Sequence, residues 1–195
     1  MRIVAGRWRG RTLRAPKGQS VRPTLDRVRE AVFSILGGRV AGRAVLDLFA
    51  GTGAMALEAL SRGASSAVLV EADPRVFEVL RRNVESLGAE GAEALLLDYR
   101  RAVRVLRAQR KRFDLVFLDP PYGKGLGTAA AGELVRAGLL APGAVVVAEE
   151  AVRFPDDPFP EGWEVAADRR YGDTRIRVFD VLAGEAASHS DEEIR

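Results

Sequence analysis

The sequence predicts an α/β protein built on a mostly parallel, twisted sheet with helices on both faces. Apolar runs of strand length alternate along the chain with segments of helical periodicity. The run Val45-Leu46-Asp47-Leu48-Phe49 breaks at Gly51-Thr52-Gly53 and continues as a helical pattern through Met55, Leu57, Ala59 and Leu60, with Gly63 as a stop. Several of the strand-like runs end in acids, at Asp47, Glu71, Asp98 and Asp119. A sheet of this kind binds ligands at the carboxyl ends of its strands.

In chain order, residues 2–6 and 11–14 read as two short strands around Arg7-Trp8-Arg9-Gly10, a small β-hairpin. Residues 16–20 read as a loop. Thr24 is placed to cap a helix that runs to Leu36, with Leu25, Val28, Val32 and Leu36 on one face and Gly37-Gly38 ending it. After the glycine turn come a strand over 66–73 and a helix opened by Pro74, with Phe77, Leu80, Val84 and Leu87 at helical spacing up to Gly88. A strand over 94–98, a basic helix over 101–110, a strand over 113–118, a helix over 129–139 and a strand over 144–148 follow. The prolines of residues 154–160 oppose a helix and predict a loop. Residues 163–170 and 176–182 predict an antiparallel hairpin at the sheet edge. The small, polar and acidic residues 184–195 predict a disordered tail. The expected organisation is a basic N-terminal extension over 1–40 (hairpin plus helix), a catalytic domain over 41–183, and the tail.

At 195 residues and 47% hydrophobic content, the chain can bury the core of one domain. It has no apolar run of membrane length and no signal-like start, so a cytoplasmic protein without membrane contact is expected. The absence of cysteine excludes disulfides and thiolate-dependent pyrimidine C5 chemistry, and it weighs against a metal site. The single histidine, His189, falls in the polar tail. Charge is unevenly spread: residues 1–30 hold nine basic side chains and two acids, while the rest hold 21 basic and 25 acidic. A cationic arm on a mildly acidic body predicts a nucleic-acid partner, contacted by Arg7, Trp8, Arg9, Arg11, Arg22, Arg27 and Arg29. Trp8 fits two roles, stacking on a base or anchoring the hairpin to the body. No excess of apolar surface is evident, which suggests a monomer.

The glycine turn admits two ligands of different charge. Residues 51–56 satisfy G-x-G-x-x-G/A, with Glu71 about 20 residues on, as a dinucleotide site requires. Asp47, four residues before the first glycine, would repel a pyrophosphate and suits a ligand with a cationic amino group. Glu71 can accept both ribose hydroxyls and Asp98 an adenine amine. Asp73 is a weaker candidate, because it can simply cap the helix that follows. The motif D-L-F-A-G-T-G resembles the first motif of class I S-adenosylmethionine (AdoMet) methyltransferases. In that class the acid contacts the methionine end of the cofactor and the fold is Rossmann-like.

Asp119-Pro120-Pro121-Tyr122 ends the fourth strand. An exocyclic amine on a base is a poor nucleophile, because its lone pair is delocalised into the ring. A carboxylate and a backbone carbonyl that accept its hydrogens favour a more pyramidal nitrogen. Asp119 and Pro120 supply them, two prolines preorganise the backbone, and Tyr122 can stack on a flipped base. The motif is similar to that of amino-methyltransferases acting on adenine N6, guanine N2, cytosine N4 or a protein glutamine. Asp in place of Asn at position 119 points away from the glutamine enzymes.

Taken with Arg2-Ile3-Val4-Ala5-Gly6, Arg9-Gly10-Arg11, Arg22-Pro23-Thr24, residues 27–33 and Tyr171-Gly172-Asp173-Thr174, the chain resembles the bacterial 16S ribosomal RNA guanine-N2 methyltransferases over residues 1 to about 183. That resemblance implies AdoMet bound by Asp47, Phe49, Ala50, Gly51, Gly53, Glu71, Ala72, Asp98, Tyr99 and Asp119. It implies catalysis by Asp119, Pro120, Pro121 and Tyr122, and a substrate of assembled or nearly assembled small subunits. An N6-adenine methyltransferase, a protein glutamine methyltransferase and a non-catalytic RNA-binding module are the alternatives.

Overall fold

A computed structural model describes residues 1–16, 23–121, 123–153 and 158–182. Arg22, Tyr122, most of the 16–20 and 154–160 loops and the 184–195 tail lie outside them, as does the side chain of Thr24. Seven strands form one sheet in the order β3-β2-β1-β4-β5-β7-β6. They are β1 (Ala44–Asp47), β2 (Ser66–Glu71), β3 (Ala92–Leu96), β4 (Phe113–Leu118), β5 (Leu140–Ala151), β6 (Trp163–Tyr171) and β7 (Thr174–Val181). The first five pair in parallel, and β7 lies antiparallel between β5 and β6, so the expected edge hairpin is present. The helices are α1 (Pro23–Leu36), α2 (Ala54–Ser61), α3 (Pro74–Leu87), α4 (Tyr99–Ala108) and α5 (Leu126–Arg136).

Central strands buried on both faces need apolar residues on both sides of the pleat, and the sequence supplies them. Val45, Leu69, Leu115, Phe117, Val145 and Val147 face one core with α1, α2 and α3. Leu46, Val68, Val116 and Val146 face the other with α4 and α5. The order reverses between β1 and β4, and that switch point opens a crevice at the strands' carboxyl ends.

Boundaries shift where capping chemistry overrides apolar spacing. The third strand starts and ends two residues before its expected place, and α4 starts two residues early, because Asp98 caps it by accepting the Arg101 amide at 3.1 Å. The N-terminal hairpin is reduced to one bridge, Arg2 with Thr12, plus bonds such as Gly10 N–H to Ile3 O at 2.8 Å.

Two buried polar side chains clamp this arm to the body. Glu58 of α2, fully buried, accepts the amides of Val4 at 2.7 Å and Ala5 at 3.0 Å and the Arg62 Nε at 2.8 Å. Asn83 of α3 accepts the Arg14 amide at 2.8 Å and donates to the carbonyls of Arg14 at 3.1 Å and Thr52 at 2.9 Å. At Gly6 (φ +79°) a Cβ would stand 1.8 Å from the Ser61 carbonyl oxygen, so only glycine lets the arm cross the end of α2. Ile3, Trp8 and Leu13 of the arm complete the first core.

Candidate active site

The crevice holds a cavity of about 760 Å³, within the range of small-molecule sites. Asp47, Phe49, Ala50, Gly51, Glu71, Ala72, Asp98, Tyr99, Asp119, Pro120 and Pro121 all line it. Gly53 supports the wall from behind. It caps α2 at φ +84°, where a Cβ would stand 2.5 Å from the Leu80 side chain.

The acids differ in how they are held. Asp47 is 2% exposed and accepts the Ala56 amide at 3.3 Å. Loss of water raises its carboxyl from 3.8 to about 7, against the lowering effect of that hydrogen bond, and the Glu71 charge adds to the rise. Glu71 accepts the Gly51 amide at 3.0 Å and the Asp73 amide at 2.7 Å, which ties the end of β2 to the glycine turn. Each of its oxygens keeps a lone pair for a ligand. Asp73 caps α3 through the amides of Arg75 at 2.7 Å and Val76 at 3.2 Å, its alternative role. Asp98 is exposed at the rim, with one oxygen committed to capping α4.

Asp119 keeps exposed surface but stands within the cavity. The surrounding protein pushes its carboxyl well above the usual carboxylate range, and the charges of Glu149 and then Asp47 push the same way. Phe49 and Tyr99 form an apolar wall, their ring centroids 5.5 Å apart. The buried Tyr99 hydroxyl has no hydrogen-bond partner. Among the described residues, no group of three or more His, Cys, Asp or Glu is placed to hold a metal ion.

The basic arm divides into two classes. Arg7, Arg9, Arg11 and Arg27 are exposed. Trp8 and Arg29, expected among the RNA-contacting residues, both turn inward. Trp8 is 9% exposed, packed in the core with the Arg7 guanidinium 4.0 Å above its ring, which is the anchoring role. Arg29 is 3% exposed, donates to the Arg2 carbonyl at 2.5 Å and to Asp26 at 3.1 Å, and lies 3.7 Å from Glu58. It is a cation in the cavity wall. A helical-face count around Val28 and Val32 places Arg29 beside the buried stripe, a signal that charge alone concealed.

Sequence reasoning missed Met1, Val28, Val32 and Glu149 among the cavity residues. Glu149 had a readable signal, being an acid just past the apolar run of a parallel strand, like Asp47 and Glu71.

The fold and the acid-lined switch-point cavity define a Rossmann-like class I methyltransferase. Matching residues 1–180, the chain belongs to the family described as Conserved hypothetical protein 95. It is 35% identical over 191 residues to Ribosomal RNA small subunit methyltransferase D of Escherichia coli (strain K12), covering 98% of this chain and 93% of that one. It is 33% identical over 182 residues to the protein of the same name from Haemophilus influenzae, covering 92% and 93%. A solved Escherichia coli structure, provisionally described as a methyltransferase, matches with a TM-score of 0.84 at 35% identity, covering 94% of this chain and 98% of that one.

Proposed function

We propose that the protein transfers a methyl group from AdoMet to the exocyclic N2 amine of a guanine in 16S rRNA of the small ribosomal subunit. The observation that carries this reading is the placement of Asp119-Pro120-Pro121 in the same cavity as Asp47 and Glu71, in a chain this similar to the Escherichia coli rRNA methyltransferase.

The residues present fit AdoMet better than a dinucleotide. Asp47, Glu71, Asp119 and Glu149 line the cavity; a bound sulfonium and ammonium would hold these carboxyls ionised, whereas a pyrophosphate would push Asp47 and Asp119 further toward their protonated forms and be repelled by the acids that stay charged. In this reading Glu71 holds the ribose hydroxyls, Asp98 faces the adenine amine, Phe49 and Tyr99 flank the ring, Ala50, Gly51, Gly53 and Ala72 shape the floor, and Asp47 attracts the amino group. A bound sulfonium supplies an electrophilic methyl and a neutral thioether leaving group.

The chain's own part is positional. Asp119 and the Pro120 carbonyl accept the two N2 hydrogens and turn the lone pair toward the methyl, with Tyr122 stacked on the base. When N2 takes the methyl that a bound sulfonium would supply, releasing the thioether, the surplus amine proton would pass to the Asp119 carboxylate, which its surroundings make unusually basic. Arg7, Arg9, Arg11, Arg22 and Arg27 of the 1–40 extension contact RNA phosphates, and residues 41–183 carry the chemistry.

No described helix is long and apolar enough to cross a membrane, and an rRNA substrate would put the work in the cytoplasm. Leu96, Val165 and Leu182 are the exposed large apolar side chains among the described residues. Leu96 and Val165 sit on strands at opposite edges of the sheet, which supports a monomer.

The test is transfer of labelled methyl to small subunits lacking the native modification, followed by nucleoside mass spectrometry. N2-methylguanosine at one site is expected. N6-methyladenosine, or label that resists ribonuclease and stays with protein, overturns the reading.

A further inference from the structure

Glu149 stands one residue beyond the pair Leu118–Ala148 that registers β4 with β5, which sets it beside Asp119 at the neighbouring strand end. On its other side it pairs with Ile176 of β7. Residues directly opposed in an antiparallel pair share a face, so Glu149 projects with Ile176, and with Val147 two residues earlier. All three line the cavity, whose wall on that side includes Val28 and Val32 of α1. Glu150 takes the other face and holds Arg177 in a two-pronged pair, both bonds 2.7 Å. Of two successive acids, Glu150 faces away from the cavity and Glu149 lines it.

The amine-binding motif does not choose a base, because adenine, guanine and cytosine all present an exocyclic amine. Guanine differs at the adjacent ring nitrogen. Its N1 carries a hydrogen beside the N2 amine, so the edge offers two neighbouring donors. Adenine N1 and cytosine N3 present a lone pair there, which a carboxylate repels. The geometry points to Glu149 as the residue that selects guanine, its carboxylate accepting the N1 hydrogen while Asp119 accepts one from N2. This rests on the guanine-N2 reading above and names its specificity determinant. The Glu149 charge, with that of Asp47, also pushes the Asp119 carboxyl upward, as two acids at neighbouring strand ends should.

The test uses small subunits reconstituted with rRNA whose target guanine is replaced by 2-aminopurine. That base keeps the N2 amine but presents a bare acceptor at N1. Transfer to guanine and to 2-aminopurine is measured for the full-length protein and for Glu149→Gln, with AdoMet affinity as a check on the cavity.

The unsubstituted protein should favour guanine by roughly tenfold to a hundredfold in kcat/KM, the range for a hydrogen bond to a charged group. Glu149→Gln should bring that ratio to within a few-fold, slower on guanine and faster on 2-aminopurine, because an amide can donate to N1. The missing O6 is common to both proteins, so the change in ratio isolates N1. Equal slowing on both bases with the ratio intact overturns the proposal and leaves Glu149 a structural role. So does an unsubstituted protein that treats the two bases alike, a result that stands even if the variant fails to fold. Failure to form N2-methylguanosine on the guanine control is a separate outcome, which removes the guanine reading and this inference together.

Discussion

Asp47→Asn should stabilise the ligand-free protein above neutral pH while weakening its cofactor affinity. The Asp47 carboxyl titrates at about 7 in the folded protein and at 3.8 when free. Between these values the folded protein retains a proton that the unfolded chain has released, so stability is full below the lower value and falls as pH rises toward the upper one. About three units of displacement, at about 1.36 kcal/mol each, amount to about 4 kcal/mol of lost stability above pH 7. Roughly 3 kcal/mol of that loss falls between about pH 5 and about pH 8.5. An asparagine does not ionise and can still accept the Ala56 amide, so its stability should lack this decline.

The assay is urea unfolding of both proteins without ligand across that range, followed by AdoMet titration. The difference in stability should move in favour of the variant by roughly 3 kcal/mol from the acid to the alkaline end. Affinity of the unsubstituted protein should rise with pH up to about 7, as the carboxylate becomes available to a cation, while the variant binds weakly at every pH. Parallel stability curves would refute the reasoning, because they would mean that Asp47 is already ionised at little cost.

Three other perturbations address the remaining parts of the site. Asp119→Ala should lower methyl transfer by at least roughly a hundredfold while AdoMet affinity changes little; equal loss of both would assign Asp119 to cofactor binding alone. Reversing the charge of Arg7, Arg9 and Arg11 should raise the RNA concentration needed for half-maximal rate and flatten its salt dependence by up to about three phosphate contacts, with AdoMet affinity unchanged. A salt-independent affinity for RNA would contradict that. Glu58→Ala strands the Val4 and Ala5 amides and leaves Arg29 without its buried counter-charge, so unfolding should become easier by roughly 3–5 kcal/mol, read as a lower urea midpoint.

The sheet was legible because a parallel strand buried on both faces must be apolar throughout. The acids were legible for a related reason: they interrupt apolar runs where a strand leaves the core. Asp47, Glu71 and Asp119 therefore stood out, and Glu149 escaped only because β5 was expected to end at Ala148 rather than Ala151. Trp8 and Arg29 turn inward, which charge density does not report. Arg7, Arg9, Arg11 and Arg27 stay exposed, and only the contacts with Glu58, Asp26 and the core distinguish inward from outward. The Trp8 amide, for one, donates to the Ser61 hydroxyl across 53 residues of sequence, beyond what local spacing encodes.

The clamping of the arm also changes what its charge can do. A free basic tail would gather RNA at any angle. Here the arm is held by Glu58 at one end of α2, and through Asn83 it is joined to the carbonyl of Thr52 in the glycine turn at the other. Met1 and the α1 residues Val28, Arg29 and Val32 then form part of the cavity wall itself. RNA phosphates bound by Arg7, Arg9 and Arg11 would lie on a surface fixed relative to Asp119. If Asp119 binds the amine as proposed, a base that leaves its stack beside that surface would need no further search for it, so binding energy spent far from the chemistry would be converted into position at the reacting nitrogen.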